Sequence, residues 1–193
     1  PNVVPGLDDK KTEPSAADAY TDIKDHWGNE AIKWAVDNEI MTGKTEKTFE
    51  PNTFATRREM IEYFGKVLGF TGTEYTGIFE DVQSGEFANL LQTFVDKGII
   101  SRDVRFRPDD NLSRQELCKL LAISLGMDTN NGAPTAFADN DEIGTWAIPY
   151  VNAVSAEKLV LGVGENRFNP KGKVTRAQTA TLLMRVNELV KAK

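Results

Sequence analysis

Thr56-Arg57-Arg58-Glu59, Ser113-Arg114-Gln115-Glu116 and Thr175-Arg176-Ala177-Gln178 are three copies of one tetrapeptide. Each sets a Ser or Thr three residues ahead of a Glu or Gln, and an apolar run follows. That is the capping box of a helix start: the hydroxyl accepts from the N3 amide and the Glu or Gln side chain reaches back to the N-cap amide. Ala55/Met60 and Leu112/Leu117 have the spacing of a hydrophobic staple, and Val174/Thr179 a weaker version of it. The Arg falls at the first helical position, where the helix end carries partial positive charge and a cation is disfavoured by about 0.3–1 kcal/mol. Two readings explain such an Arg. It lies back across the helix and pairs with a neighbouring carboxylate, or it joins free helix N–H groups in a site for a carboxylate or phosphate. Three copies in register favour the anion site.

The repetition extends well beyond the tetrapeptide. Each unit opens on aromatic-x-Asp: Tyr20-Thr21-Asp22, Phe79-Glu80-Asp81 and Phe137-Ala138-Asp139. A first amphipathic segment follows, with Ile32, Leu91 and Val151 aligned, then Ala35, Phe94 and Val154 one helical turn on. A loop then leads to Phe49-Glu50-Pro51, Phe106-Arg107-Pro108 and Phe168-Asn169-Pro170, where Pro blocks helix and sets up a turn. The Phe precedes the motif Arg by 8 residues in every copy, whereas successive Arg residues are 57 and 62 apart, so length varies only in the connectors. The capping box opens a second helix, with Met60, Ile61, Phe64, Val67 and Leu68 on its buried face in the first copy. Leu117, Leu120, Leu121 and Leu125 match them in the second copy, and Leu182, Leu183, Val186, Leu189 and Val190 in the third. Gly69 and Gly126 are placed to end the first two of these helices. The spacing predicts three helix–loop–helix repeats, over 20–70, 79–127 and 136–190, that share one core. Residues 1–19, with three Pro and little periodicity, read as a linker or tail to something upstream.

Composition removes several functional classes. The 193 residues carry a net charge of −6, which argues against nucleic acid or an anionic membrane as a bulk partner but permits local cationic pockets. No apolar run approaches the roughly 18 residues of a membrane span, and no signal peptide is visible. A start at Pro1 suggests a processed or excised piece. One Cys and one His forbid an intrachain disulfide and a zinc site of several such ligands. His26 sits in a turn-like Asp-His-Trp-Gly, a poor place for a catalytic base, and Cys118 lies in an apolar helical run, as a buried, inert thiol would. No pair of carboxylates is singled out across the copies, so the reading is a binding module and not an enzyme, without cofactor or metal.

Together, aromatic-x-Asp, a nearby Trp-Gly or Trp-Ala, a Gly-containing loop, Phe-x-Pro and the Thr-Arg-Ala-Glu-like ends resemble the S-layer homology (SLH) repeat, over about residues 20–190. The resemblance implies a mainly α fold, in which three repeats form a pseudo-threefold, three-pronged spindle around a central helical bundle. It implies non-covalent anchoring of an exported protein to the cell wall of a Gram-positive bacterium, extracellular, at the cell wall or S-layer. The implied partner is secondary cell-wall polysaccharide with a pyruvylated terminal sugar, held in grooves between repeats with the motif Arg on the pyruvate carboxylate. Surface-protein partners upstream in a longer chain are a further implication. A protein–protein or self-assembly module of a surface layer is the alternative.

Carried over copy by copy, the resemblance gives as glycan-binding residues Arg57, Arg114 and Arg176, the leading Asp22, Asp81 and Asp139, the aromatics Trp27 and Trp146, and the loop glycines Gly43 and Gly162. The second copy departs, with Glu86-Phe87 in place of the Trp and Ser101-Arg102-Asp103 in a loop two residues shorter. Several of these residues have a structural reading as well. Trp27 and Trp146 stack on a sugar or pack against Phe49 and Phe168. The Asp residues bind hydroxyls or make turn hydrogen bonds. The glycines admit a ligand or serve a left-handed turn.

Overall fold

The computed structural model describes residues 14–192, so most of the stretch read as a tail lies outside the described residues. Its end does not: Ala16–Ala19 forms a short 3-10 helix, Ala17 is fully buried, and the Ser15 hydroxyl donates to Asp37. Residues 16–19 therefore pack with the repeats instead of trailing from them.

The fold is mainly helical. Among the described residues the six α-helices are α1 (Asn29–Asp37), α2 (Arg57–Val67), α3 (Glu86–Asp96), α4 (Arg114–Ser124), α5 (Ile148–Ala156) and α6 (Arg176–Lys191). Among the described residues the only extended pairings are isolated antiparallel bridges, Phe54 with Thr175, Thr56 with Asn111 and Ser113 with Lys173. All three capping boxes form as the sequence predicts, with both reciprocal bonds present at Thr56/Glu59, Ser113/Glu116 and Thr175/Gln178. Gly69 and Gly126 follow α2 and α4 at φ 61° in each case, the left-handed step that glycine takes without a Cβ clash. The faces read from periodicity are buried, except that Leu125 and Leu189 are only partly so.

The packed helix pairs cross the repeat boundaries. The first helix of each unit packs on the second helix of the unit before it: α3 on α2, α5 on α4, and α1 back on α6. This last pairing closes the chain on itself. α2 also packs on α6, where the Thr179 hydroxyl faces the Met60 sulfur. Each packed pair thus spans a repeat boundary, and no helix–loop–helix unit is complete alone. At the base of each unit two rings meet, Tyr20 with Phe49, Phe79 with Phe106 and Phe137 with Phe168, at centroid separations of 5.3–6.0 Å. Phe49, Phe106 and Phe168 are almost wholly buried, each worth about 1.5–3 kcal/mol of burial.

Candidate functional site: grooves between repeats

The leading Asp of each unit holds the Phe-x-Pro turn. Asp22 accepts from the amides of Phe49 and Glu50, Asp81 from those of Phe106 and Arg107, and Asp139 from those of Phe168 and Asn169, one carboxylate oxygen to each amide. The middle residue of each turn, Glu50, Arg107 or Asn169, sits at φ 56–59° directly before a proline, a strained position that the carboxylate clamp maintains. Burial raises the carboxyls of Asp81 and Asp139, but the paired amides outweigh it and both are lowered. Of the two readings of the Asp trio, the geometry is that of turn hydrogen bonding.

The helix starts are equally occupied. The N1 and N2 amides of α2 donate to Asp110 and Pro108, those of α4 to Gly172 and Pro170, and those of α6 to Thr53 and Pro51. The capping boxes take the N-cap and N3 amides, so all four free N–H groups of each helix end are used within the protein. The expectation of free helix amides beside each Arg is corrected on this point: they bind the Pro turn of the following unit.

The three Arg side chains reach in the same direction. Arg57 Nε donates to the Phe106 carbonyl, Arg114 Nε to Phe168 and Arg176 Nε to Phe49, at 2.7–3.1 Å, and each guanidinium lies 4.5–5.0 Å from the centroid of that same ring. Beyond that shared contact they diverge. Arg57 makes no further side-chain hydrogen bond among the described residues; Glu116 stands 3.7 Å away. Arg114 adds the Leu161 carbonyl at 2.6 Å. Arg176 adds the Thr42 carbonyl, the Tyr63 hydroxyl and the Glu59 carboxylate, the latter two at 2.9 Å, and is 1% exposed. Burial pushes the Arg57 and Arg114 guanidiniums below their ordinary range, Glu116 opposing this at Arg57 and Cys118 and Asp139 at Arg114. Pairing with a neighbouring carboxylate, one of the two readings of the motif Arg, therefore describes Arg176 far better than Arg114.

Two grooves result. In the first, a cavity of about 330 Å³, Arg57 from unit 1 meets the 99–107 segment and Lys119 from unit 2 and Trp146 from unit 3. In the second, about 270 Å³, Arg114 from unit 2 meets Leu161, Gly162 and Gln178 from unit 3 and Trp27 from unit 1. Each groove combines all three units. Trp27 is 66% exposed and Trp146 47%, so the expected packing against Phe49 and Phe168 does not occur; Tyr20 and Phe137 fill those places. The position equivalent to the two Trp is Phe87, which is buried and lies under the Arg58 guanidinium at 3.9 Å.

The third equivalent position, at Arg176, is filled by the protein itself. Tyr63 stands where Leu120 and Leu182 stand in the other copies, and it bonds Glu59 and Arg176 together. Lys44 closes the mouth, 2.6 Å from Glu59. Burial raises the Glu59 carboxyl, yet Lys44, the Thr56 amide and Arg176 outweigh it and the net shift is downward.

The loop glycines have a different reason from the left-handed turn expected of them: neither Gly43 nor Gly162 has positive φ. A Cβ on Gly43 would lie 2.3 Å from the Tyr20 ring and 2.7 Å from the Thr45 and Thr48 carbonyls; one on Gly162 would lie 2.9 Å from the Arg167 carbonyl. Gly162 lines the Arg114 groove, while the Gly43 amide donates to the Tyr20 hydroxyl. Away from the grooves, His26 accepts from the Gly28 amide and pairs with Asn52, and Cys118 is buried with its thiol pushed up to about 12. Sequence reasoning missed Tyr63, Lys44, Arg105 and Lys119, because nothing in a single repeat marks which side chain faces a groove made by three.

Residues 19–61 and 136–180 match the family model described as "S-layer homology domain", and these two segments hold the copies that keep the Trp and the loop Gly. The chain is 32% identical over 170 residues to an amylopullulanase of Thermoanaerobacterium thermosulfurigenes, 85% of this chain but 9% of that protein. It is 25% identical over 179 residues to an S-layer protein of Bacillus thuringiensis subsp. finitimus, 90% of this chain and 22% of that protein. It is 29% identical over 144 residues to a cellulosome-anchoring protein of Acetivibrio thermocellus, 69% of this chain and 32% of that protein. The chain thus spans a third or less of the length of these relatives.

Proposed function

We propose that this chain, a member of the S-layer homology family, anchors a longer cell-surface protein to the cell wall by holding an acidic wall polysaccharide in two inter-repeat grooves. The observation that carries the reading is the pairing, in each of two grooves, of a largely buried Arg with a solvent-exposed Trp. A pyranose has an apolar C–H face that lies flat on an indole, and a pyruvyl ketal adds one carboxylate for the guanidinium to take. Arg57 with Trp146, and Arg114 with Trp27 and Gly162, are the contact residues. Arg176, Gly43 and the three Asp residues hold the walls. S-layer and cellulosome-anchoring relatives support a place at the cell surface, and the activity of any longer protein is carried elsewhere in it. Among the described residues no helix is long and apolar enough to cross a membrane. Two modest sites on one rigid chain raise the effective concentration of each for a polymeric ligand, which suits retention on a wall.

Calorimetric titration of the chain with wall polysaccharide, with its ketals intact or removed by mild acid, tests the reading. Two sites per chain are expected for the intact polymer and strong weakening without the ketal. Trp27→Ala and Trp146→Ala should each remove one site. Equal binding of the stripped polymer would overturn the Arg assignment. Retention on sacculi freed of polysaccharide but bearing their proteins would favour a protein partner instead.

A further inference from the structure

The Arg57 groove holds more positive charge than one carboxylate satisfies. Arg57, Arg102, Arg105, Arg107 and Lys119 line it, against Asp103 and Glu116. Both acids are partly committed, Glu116 to the amide and hydroxyl of Ser113, and Asp103 to the amide of Val104. Arg102, Arg105, Arg107 and Lys119 have no carboxylate within 4.0 Å and no side-chain hydrogen bond among the described residues. Arg107 also adds a like charge beside Arg57, and with burial it lowers that guanidinium. Like charges gathered around a cavity are relieved by an anion, and the relief is greatest where water is partly excluded. The Arg114 groove differs: its only other cation, Arg185, bonds the Leu159 carbonyl, and Leu159, Val160, Leu161 and Val163 form its wall.

Resting on the reading above, we propose that the Arg57 groove binds a dianionic stretch of glycan. Arg57 takes the carboxylate of one sugar, and the Arg102–Arg107 segment with Lys119 takes a second oxyanion, carboxylate or phosphate, on the adjoining sugar. The Arg114 groove takes one anion and an apolar substituent. The two grooves therefore grip different stretches of one polymer, and the shortened loop of the second copy is a specificity element.

The test titrates the whole chain with three probes while following the Arg57 and Arg114 Nε–H signals by NMR. The probes are a single pyruvyl-ketal sugar, a disaccharide with the ketal on both sugars, and a disaccharide with one ketal and one phosphate. A second charge-assisted contact is expected to tighten binding at Arg57 about tenfold and at Arg114 less than about threefold. Arg102→Gln with Arg105→Gln, both exposed and unbonded, should bring the dianion-to-monoanion ratio at Arg57 to about one. A gain from either second group supports the inference and names that group. Equal gains in both grooves, or a ratio untouched by the double variant, overturns it. No binding of any probe at either groove overturns the anchoring reading as well, so the two failures are distinct.

Discussion

Arg57 and Arg176 each follow a Thr cap, donate Nε to the equivalent carbonyl, Phe106 and Phe49, and lie over the ring of that same Phe. Their side chains nevertheless retain 18% and 1% exposure. The difference lies in what the neighbouring units bring. Above Arg57 the loop is two residues short and supplies no carbonyl to the guanidinium, Leu120 stands across from it, and an exposed Trp146 borders the cavity. Above Arg176 the full-length loop supplies the Thr42 carbonyl, Tyr63 replaces leucine, and Glu59 occupies the guanidinium as a ligand carboxylate would. One motif position therefore stays partly open in one place and is closed into the protein in another. The second copy, which departs furthest from the other two, walls a position that stays open.

Removing each guanidinium measures that division most directly. Arg176→Ala removes a buried guanidinium that bonds Glu59, Tyr63 and two backbone carbonyls, Lys44 still facing Glu59, and should cost about 2–5 kcal/mol of unfolding free energy. Arg57→Ala should cost about 1 kcal/mol while abolishing one glycan site. Chemical denaturation of both variants checks this, and equal losses would erase the distinction.

Opening the third position is the next largest effect. Glu59→Gln with Tyr63→Leu copies the residues of the third unit, Gln178 and Leu182, and keeps the helix cap. The double variant should lose about 1–3 kcal/mol without glycan, since Arg176 loses its carboxylate. It should also titrate with three sites per chain in place of two. A stoichiometry still at two would mean that more than this network closes the position.

Acid provides the mildest probe. The folded Glu59 carboxyl lies below its ordinary value of 4.5, so its contribution is fully present above that value and is lost as pH falls through the lowered one. Glu116 behaves alike, being raised by burial but lowered more by its Ser113 hydrogen bonds and by Arg57. Thermal stability should therefore be level above about pH 5 and fall below it, and Glu59→Gln should flatten part of that fall. A steeper fall in the variant would contradict the direction assigned to Glu59.

The caps, the buried helix faces and the Phe-x-Pro turns were legible because each is set by residues a few positions apart. The direction of the motif Arg was not legible, since Phe106, Phe168 and Phe49 lie 49, 54 and 127 residues from the Arg that bonds them. The Trp pair was open to either reading for a similar reason. Whether an indole is buried depends on whether Tyr20 and Phe137 already fill the space beneath it.

The sequence by itself determined the repeats, their helix starts and stops and their apolar stripes, because capping chemistry and side-chain periodicity act within a turn or two of the chain. Only the tertiary structure decided which helices pair across repeat boundaries, and which of three equivalent guanidiniums stay open. Each groove takes walls from three units, so the electrostatics of any one position follow from residues that meet only when the last helix closes on the first.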